Sequence, residues 1–207
     1  MTLDAENLKS QIPYYLTAAP AQKELVENLG ALSNGAKRGY YISAAREHDD
    51  TSMLQGDGWR GFQILSFASG EKRSIRGIVL SNSCDISPEN ERAIPNKVVF
   101  APIVKLSAVE ARFASSGLSE EAIKAKVASI KLQSVTNVFY LPAGGELEED
   151  YLVFLDDLHS MPVSVLERDD KIFTLSMAGF YLFAFKLSIH FCRLHENIDR
   201  RDETAAA

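Results

Sequence analysis

The chain has few of the features that mark secreted, membrane-spanning or metal-binding proteins. Its two cysteines, Cys84 and Cys192, form no CxxC pair, so neither a zinc ribbon nor a thioredoxin-type redox site is predicted. Its N-terminus lacks the basic and apolar regions of a signal peptide. The longest apolar run, 178–191, is interrupted by Lys186 and His190 and is too short to cross a bilayer. We therefore predict a cytoplasmic protein with reduced thiols, no membrane contact, no cofactor and no metal ion.

An excess of basic residues is also lacking. The chain has 28 acidic and 22 basic residues and a formal net charge of -6. This balance argues against a protein that coats nucleic acid by bulk charge, although a local basic patch could still bind phosphate. The hydrophobic fraction of 46% in 207 residues is enough for one sizeable core with at most a small helical appendage.

Apolar patterns and turn signals predict an N-terminal helical appendage at 1–35 and an α+β domain at 54–201. Short apolar runs predict strands at 62–67, 75–80, 97–104, 137–141 and 151–155, and a hairpin that pairs 163–166 with 171–174. Short strands around a helical insertion, closed by a C-terminal helix, predict a small antiparallel β-barrel or a strongly curled sheet.

Serines at helix starts predict the helices of that domain. Ser107 and Glu110 match a capping box, and Ser119 matches the cap of a second helix, so a helical insertion is predicted at 107–131. The last helix is predicted to begin after Ser176.

The predicted strand 75–80 runs into a polar segment, 81–85, which we call the elbow and which reads Ser81-Asn82-Ser83-Cys84-Asp85. A rigid strand that presents polar groups at its end is a common way to build a site. Cys84 is a candidate nucleophile if a histidine lowers its pKa, and the candidate bases are His159, His190 and His195. The alternative is structural: Ser81, Ser83 and Asp85 make turn hydrogen bonds while Cys84 fills a small buried space.

Two further groups of polar residues are candidates. Asp156, Asp157 and His159 follow a predicted strand and could bind a divalent ion or transfer protons, or form a surface turn.

On the last helix, three basic side chains share one face and predict a phosphate-binding ridge, unless they pair with local acids: Lys186, His190 and Arg193. The opposite face is the expected core stripe, formed by Phe180, Ala184, Leu187 and Phe191.

Three segments in order resemble the MazF/PemK family of toxin endoribonucleases: LQGDGW at 54–59, RGIVLSN at 76–82 and VVFAPI at 98–103. The resemblance implies a barrel of the Src-homology-3 type with a C-terminal helix, and it places Arg76 at the family's catalytic arginine. The family's catalytic hydroxyl corresponds to Val104 here, which has no hydroxyl.

These observations favour an RNA- or nucleotide-phosphate-binding protein in a bacterial toxin–antitoxin or phage-defence setting. In that interpretation Arg76 and the basic ridge hold phosphate, and Ser81, Ser83 and Asp85 position the ligand or transfer protons. One alternative is a non-catalytic module that binds a protein partner, such as an antitoxin or defence component, or a second copy of the chain. The other is a cysteine-dependent hydrolase that uses Cys84.

Overall fold

The computed structural model of the chain describes residues 25, 27–32, 34–36, 39–42, 52–87, 94–166 and 171–191. Within these residues the strands are β1 (Gly58–Leu65), β2 (Lys72–Val79), β3 (Lys97–Lys105), β4 (Val138–Leu141), β5 (Tyr151–Phe154), β6 (His159–Pro162) and β7 (Lys171–Phe173). The helices are α1 (Ser83–Ile86), α2 (Leu106–Ser115), α3 (Glu120–Lys131), α4 (Met177–Phe191) and a short 3-10 helix (Val163–Val165). Residues 27–32 are also helical. The predicted α+β class is confirmed.

All strands belong to one antiparallel sheet with the order β4-β5-β3-β2-β1-β7. Strand β6 lies off this path and pairs with the first half of β3, whereas β5 pairs with the end of β3. Phe100 of β3 pairs with His159, and Ile103 pairs with Val153, so the segment 151–162 runs along one side of β3. Among the described residues the sheet remains open, with β4 and β7 at its edges. A closed Src-homology-3-type barrel is therefore not confirmed.

Alternation along the strands gives the sheet two apolar faces. The front face carries Ile78, Ile103 and Val153, and it packs against α4 and against Leu29 of the N-terminal helical residues. The back face has two clusters. One surrounds Trp59, Phe62 and Phe100, and the other joins Leu152 and Tyr140 to α2 and α3. Because side chains alternate with a period of two in a strand, each buried strand contributes to both faces.

The C-terminal helix packs on the sheet with a face that only overlaps the predicted one. Its buried residues are Ala178, Gly179, Leu182, Phe183 and Lys186. Of the predicted core stripe, Phe180 and Leu187 pack against the front core as partly buried residues, whereas Phe191 is exposed. A Cβ atom at Gly179 would lie 2.5 Å from the carbonyl oxygen of Tyr40, so the backbone of Tyr40 lies against the helix at this glycine.

The helical insertion has the two predicted helices, but only one predicted cap. Ser119 accepts a hydrogen bond from Ala122 N at 3.3 Å and caps α3. Helix α2 begins one residue before Ser107, whose hydroxyl donates to Glu149 at 2.8 Å instead. The predicted capping box was therefore wrong.

The predicted hairpin between 163–166 and 171–174 was also wrong. Residues Val163–Val165 form the 3-10 helix, and β7 pairs with β1, where Gly58 faces Phe173. No helix in the described part of the chain is long and apolar enough to cross a membrane.

Candidate functional site

Backbone hydrogen bonds fix the shape of the elbow at the end of β2. Ser81 Oγ accepts from Val99 N at 2.8 Å, and Ser83 Oγ accepts from Gln55 N at 2.9 Å. Asn82 caps α1, since its side-chain oxygen accepts from Cys84 N at 3.0 Å. The two serines therefore have structural contacts, but they bind the backbone of distant segments rather than of their own turn.

Cys84 does not fill the buried space that this alternative gave it. Its side chain and that of Asp85 are exposed, and Ile86 is the buried residue of α1. Residues two positions apart in a helix point roughly 200° apart, so burial of Ile86 turns Cys84 outward. The thiol is therefore accessible on a rigid turn.

The loop before β1 packs directly against the elbow. Gln55 Nε2 donates to the carbonyl of Leu80 at 2.7 Å, and Gly56 N donates to Val79 O at 2.8 Å. This contact brings together two segments of the resemblance, 54–59 and 76–82. It also places Asp57 beneath the surface of the molecule.

Asp57 is fully buried and forms an ion pair that the sequence did not reveal. Its Oδ2 accepts from Leu54 N at 3.0 Å and lies 3.3 Å from Lys171 Nζ. Lys171 also donates to Ser52 O at 2.7 Å and lies 5.3 Å from the ring of Trp59. Burial raises the pKa of Asp57, and the Leu54 N–H and the Lys171 charge oppose that shift. The sequence signalled Asp57 only as part of the segment LQGDGW, two residues before the single tryptophan, and gave no sign of its partner Lys171.

Arg76 lies on the front face, away from the elbow. Its Nη1 donates to Tyr151 Oη at 2.9 Å, and its guanidinium lies 5.8 Å from the ring centroid. Val79 ends β2 three residues later, about 10 Å along a strand, and it faces the back of the sheet. Arg76 and the elbow are therefore two separate sites.

Other cations surround Arg76 on the front face. Trp59 pairs with Gly77 across β1 and β2, and a bulge in β1 follows Trp59, so Arg60 lies on the strand next to Arg76 but is not paired with it. Arg60 contacts Glu146, whose neighbour Leu147 lies in the front core, so Arg60 belongs to the front face. Lys105 of β3 faces Tyr151 of β5. We call Arg60, Arg76 and Lys105 the cationic face.

The predicted phosphate ridge is not assembled by the described residues. Lys186 is only 3% exposed, and its Nζ donates to Gln133 O at 2.9 Å and to Val135 O. Burial lowers the pKa of Lys186 to about 8. The ring of His190 packs edge-on against Phe191 at 4.6 Å, and Arg193 lies outside the described residues. Lys186 is thus a structural residue that binds the carbonyls after α3, and it is not available to an external phosphate.

The carboxylates after β5 form small local contacts. His159 Nε2 lies 3.0 Å from Asp157 Oδ1, and its ring stacks on Phe100 at 5.7 Å. Asp156 Oδ2 accepts from Asn137 Nδ2 at 3.3 Å. Across the residues that the structure describes, no group of three or more histidine, cysteine, aspartate or glutamate side chains could hold a metal ion.

No family model and no curated protein matches this chain. Its chemistry must therefore be inferred from its own residues. They provide two separate surfaces, an exposed thiol and carboxylate on the elbow, and guanidinium and ammonium groups on the front of the sheet. The second surface is suited to an anionic ligand.

Proposed function

We propose that the chain binds RNA or another nucleotide-phosphate ligand at the cationic face, with Arg76 as the central contact. The observation that carries this proposal is the presence of cations on three adjacent strands, with Arg76 on β2 between Arg60 on β1 and Lys105 on β3. Guanidinium and ammonium groups gathered on one face of a sheet are suited to an anionic ligand.

The contacts of Arg76 support a binding role. The Tyr151 hydroxyl holds one guanidinium nitrogen at 2.9 Å, and the half-buried stem restricts the side chain to the front of the sheet. A guanidinium held in one orientation can present its remaining N–H groups to a phosphate in a fork. Lys105 adds a second charge on the next strand, where it pairs with Tyr151, the residue that holds the Arg76 guanidinium.

The resemblance to toxin endoribonucleases favours RNA as the ligand and a toxin–antitoxin or phage-defence setting. We propose binding, and the proposal includes no cleavage step. Val104, at the position of the family's catalytic hydroxyl, is a partly buried apolar residue that packs against the helical insertion. The elbow residues Ser81, Ser83, Cys84 and Asp85 form a second surface, for which we propose no step in RNA binding.

Replacing Arg76 with alanine is expected to weaken RNA binding by about tenfold to a hundredfold, because a charge-assisted hydrogen bond to phosphate is lost. Fluorescence anisotropy with a labelled single-stranded RNA measures the dissociation constant, and a gel of the same RNA reports cleavage. Arg73→Ala is the matched control, since Arg73 lies on the same strand, is exposed and contacts Glu71 at 3.3 Å. Equal losses in the two variants would show that only net charge matters.

The variant Cys84→Ser tests the alternative of a cysteine-dependent hydrolase. It should leave RNA binding unchanged, whereas a thiol hydrolase would lose activity in Cys84→Ser and keep it in Arg76→Ala.

A second candidate function is a non-catalytic module that binds a protein or a second copy of itself. Phe67, in the turn between β1 and β2, is 93% exposed, and Leu65 beside it is also exposed. Exposed aromatic and aliphatic side chains on a hairpin are suited to a protein contact. If they join two copies, sedimentation should show a dimer for the wild type and a monomer for Phe67→Ser. A monomer in both cases argues against self-association through this turn.

A further inference from the structure

The loop between β4 and β5 places acidic side chains against the cationic face. We call residues 146–150 the acidic loop, because four of them are Glu146, Glu148, Glu149 and Asp150. Glu146 lies 2.6 Å from Arg60, and Glu149 lies 2.5 Å from Lys105. Two of the three cations around the proposed phosphate site are therefore already paired with carboxylates of the same chain.

The backbone that carries these carboxylates is firmly held. Leu147 is buried in the front core, and its backbone exchanges hydrogen bonds of 2.9 and 3.0 Å with Gly144. Asp150 accepts from Ala143 N at 3.0 Å through its side chain, and from Leu106 N at 3.0 Å through its carbonyl. The fold thus fixes Glu146 and Glu149 on either side of a buried anchor, with their side chains directed to Arg60 and Lys105.

The two ion pairs are exposed and therefore exchangeable. The side chain of Glu146 is 55% exposed and that of Lys105 is 56% exposed. Ion pairs at such exposure are weak and are screened by salt, so a ligand anion can replace the carboxylate without movement of the backbone. Asp150, which pairs with Lys131 at 3.0 Å, is much less exposed and belongs to the support of the loop.

We propose that Glu146 and Glu149 mimic phosphate groups and compete with a nucleic-acid strand for Arg60 and Lys105, so that the two carboxylates lower the affinity of the cationic face for such a strand. This inference rests on the proposed function of the same face. A single phosphate at Arg76 leaves both internal ion pairs in place. A nucleic-acid strand that crosses the sheet supplies enough charge to displace both carboxylates.

The cationic face extends over three strands, since Arg60, Arg76 and Lys105 lie on the adjacent strands β1, β2 and β3. Neighbouring strands are about 4.8 Å apart, so the backbones of the outer two are separated by about 10 Å. Successive phosphates of a nucleic-acid strand can contact cations over such a width.

Glu146→Gln and Glu149→Gln are each expected to tighten binding of a labelled single-stranded RNA decamer by about threefold, because each removes a competing anion. The matched control is Glu148→Gln, which makes the same charge change in the same loop. Glu148 is exposed, and no ion pair joins it to a cation in the described part of the chain. This control should change affinity by less than about 1.5-fold.

Two further measurements separate competition from a structural effect. The double variant Glu146→Gln with Glu149→Gln should tighten RNA binding by about ninefold, since each carboxylate competes at its own cation. Adenosine monophosphate, used as a competitor, should gain less affinity than the RNA from the double variant, because a single phosphate at Arg76 displaces neither carboxylate.

The possible results are distinguishable. Equal tightening by all three single variants would overturn the phosphate-mimic proposal, since bulk charge would then explain the effect. Binding that depends on Arg76 but is unchanged in Glu146→Gln and Glu149→Gln would also overturn it, and would leave the proposed function intact. Absence of Arg76-dependent binding in the wild type and in the double variant would overturn both.

Discussion

Replacing Asp57 with alanine is expected to lower the free energy of unfolding by about 3 to 5 kcal/mol, because the largely buried ammonium group of Lys171 loses its counter-charge. The two side chains lie 3.3 Å apart and are 1% and 15% exposed, so water replaces the lost partner poorly. Leu54 N also loses the acceptor that it contacts at 3.0 Å. Urea denaturation followed by circular dichroism measures the loss.

A double-mutant cycle tests whether the ion pair is the cause. Lys171→Met removes the charge but keeps the stem against Trp59, and the double variant Asp57→Ala with Lys171→Met should recover most of the stability lost in Asp57→Ala. If Asp57→Ala costs less than about 1 kcal/mol, or if the two changes add without coupling, the pair does not support the fold in the manner expected.

The same residue should make stability depend on pH. Burial raises the pKa of Asp57 above its usual 3.8, so the folded state holds the carboxyl proton more tightly than the unfolded state. This contribution to stability is complete below about pH 4 and is lost as the pH rises through the raised pKa. The difference in unfolding free energy between the wild type and Asp57→Asn should therefore shrink as the pH rises through that range.

Local patterns predicted much of the sheet and of the helical insertion. The unbroken apolar runs around Ile78 and Val99 became β2 and β3, and Ser119 caps α3 as expected. These features depend on neighbours within a few residues, which a sequence displays directly. The capping box at Ser107 failed because Glu149, from a distant loop, binds that hydroxyl.

Local patterns did not predict the contacts between residues that are far apart in the sequence. Arg76 was singled out by resemblance, but its partner Tyr151 lies 75 residues away in the sequence. Lys186 matched a basic ridge by helical spacing, yet the carbonyls after α3 hold it inside the protein. Spacing predicts which residues share a helix face, and it does not predict whether that face meets solvent or the core.

The elbow shows the same limit within one short segment. Its position at the end of a buried strand was predicted, but its serines bind the backbone of the distant residues Val99 and Gln55 rather than of their own turn. The exposure of Cys84 was not predicted, because it depends on Ile86 as the anchor of α1. The separation of the elbow from Arg76 follows from the pleat of β2, which turns Arg76 to the front and Val79 to the back.

Gln133 connects the end of α3 to the front and back of the sheet, and its loss should be as costly as that of Asp57. Its amide nitrogen donates to Tyr40 Oη at 3.0 Å and to Tyr140 O at 2.8 Å, and its amide oxygen accepts from Tyr140 N at 3.2 Å. Its own carbonyl accepts from Lys186. Gln133→Ala leaves both backbone groups of Tyr140 without these partners, and we expect a loss of about 3 to 5 kcal/mol.

A comparison with Gln133→Gly separates these hydrogen bonds from backbone strain. Gln133 has a φ of 56°, a left-handed conformation that follows the end of a helix and suits glycine best. Glycine removes the same side-chain bonds as alanine but relieves the strain, so Gln133→Gly should be more stable than Gln133→Ala by about 1 kcal/mol. Urea denaturation of the three proteins, with Gln63→Ala as an exposed control, gives both differences. If glycine restores wild-type stability, backbone strain rather than the hydrogen bonds of Gln133 dominates at this turn.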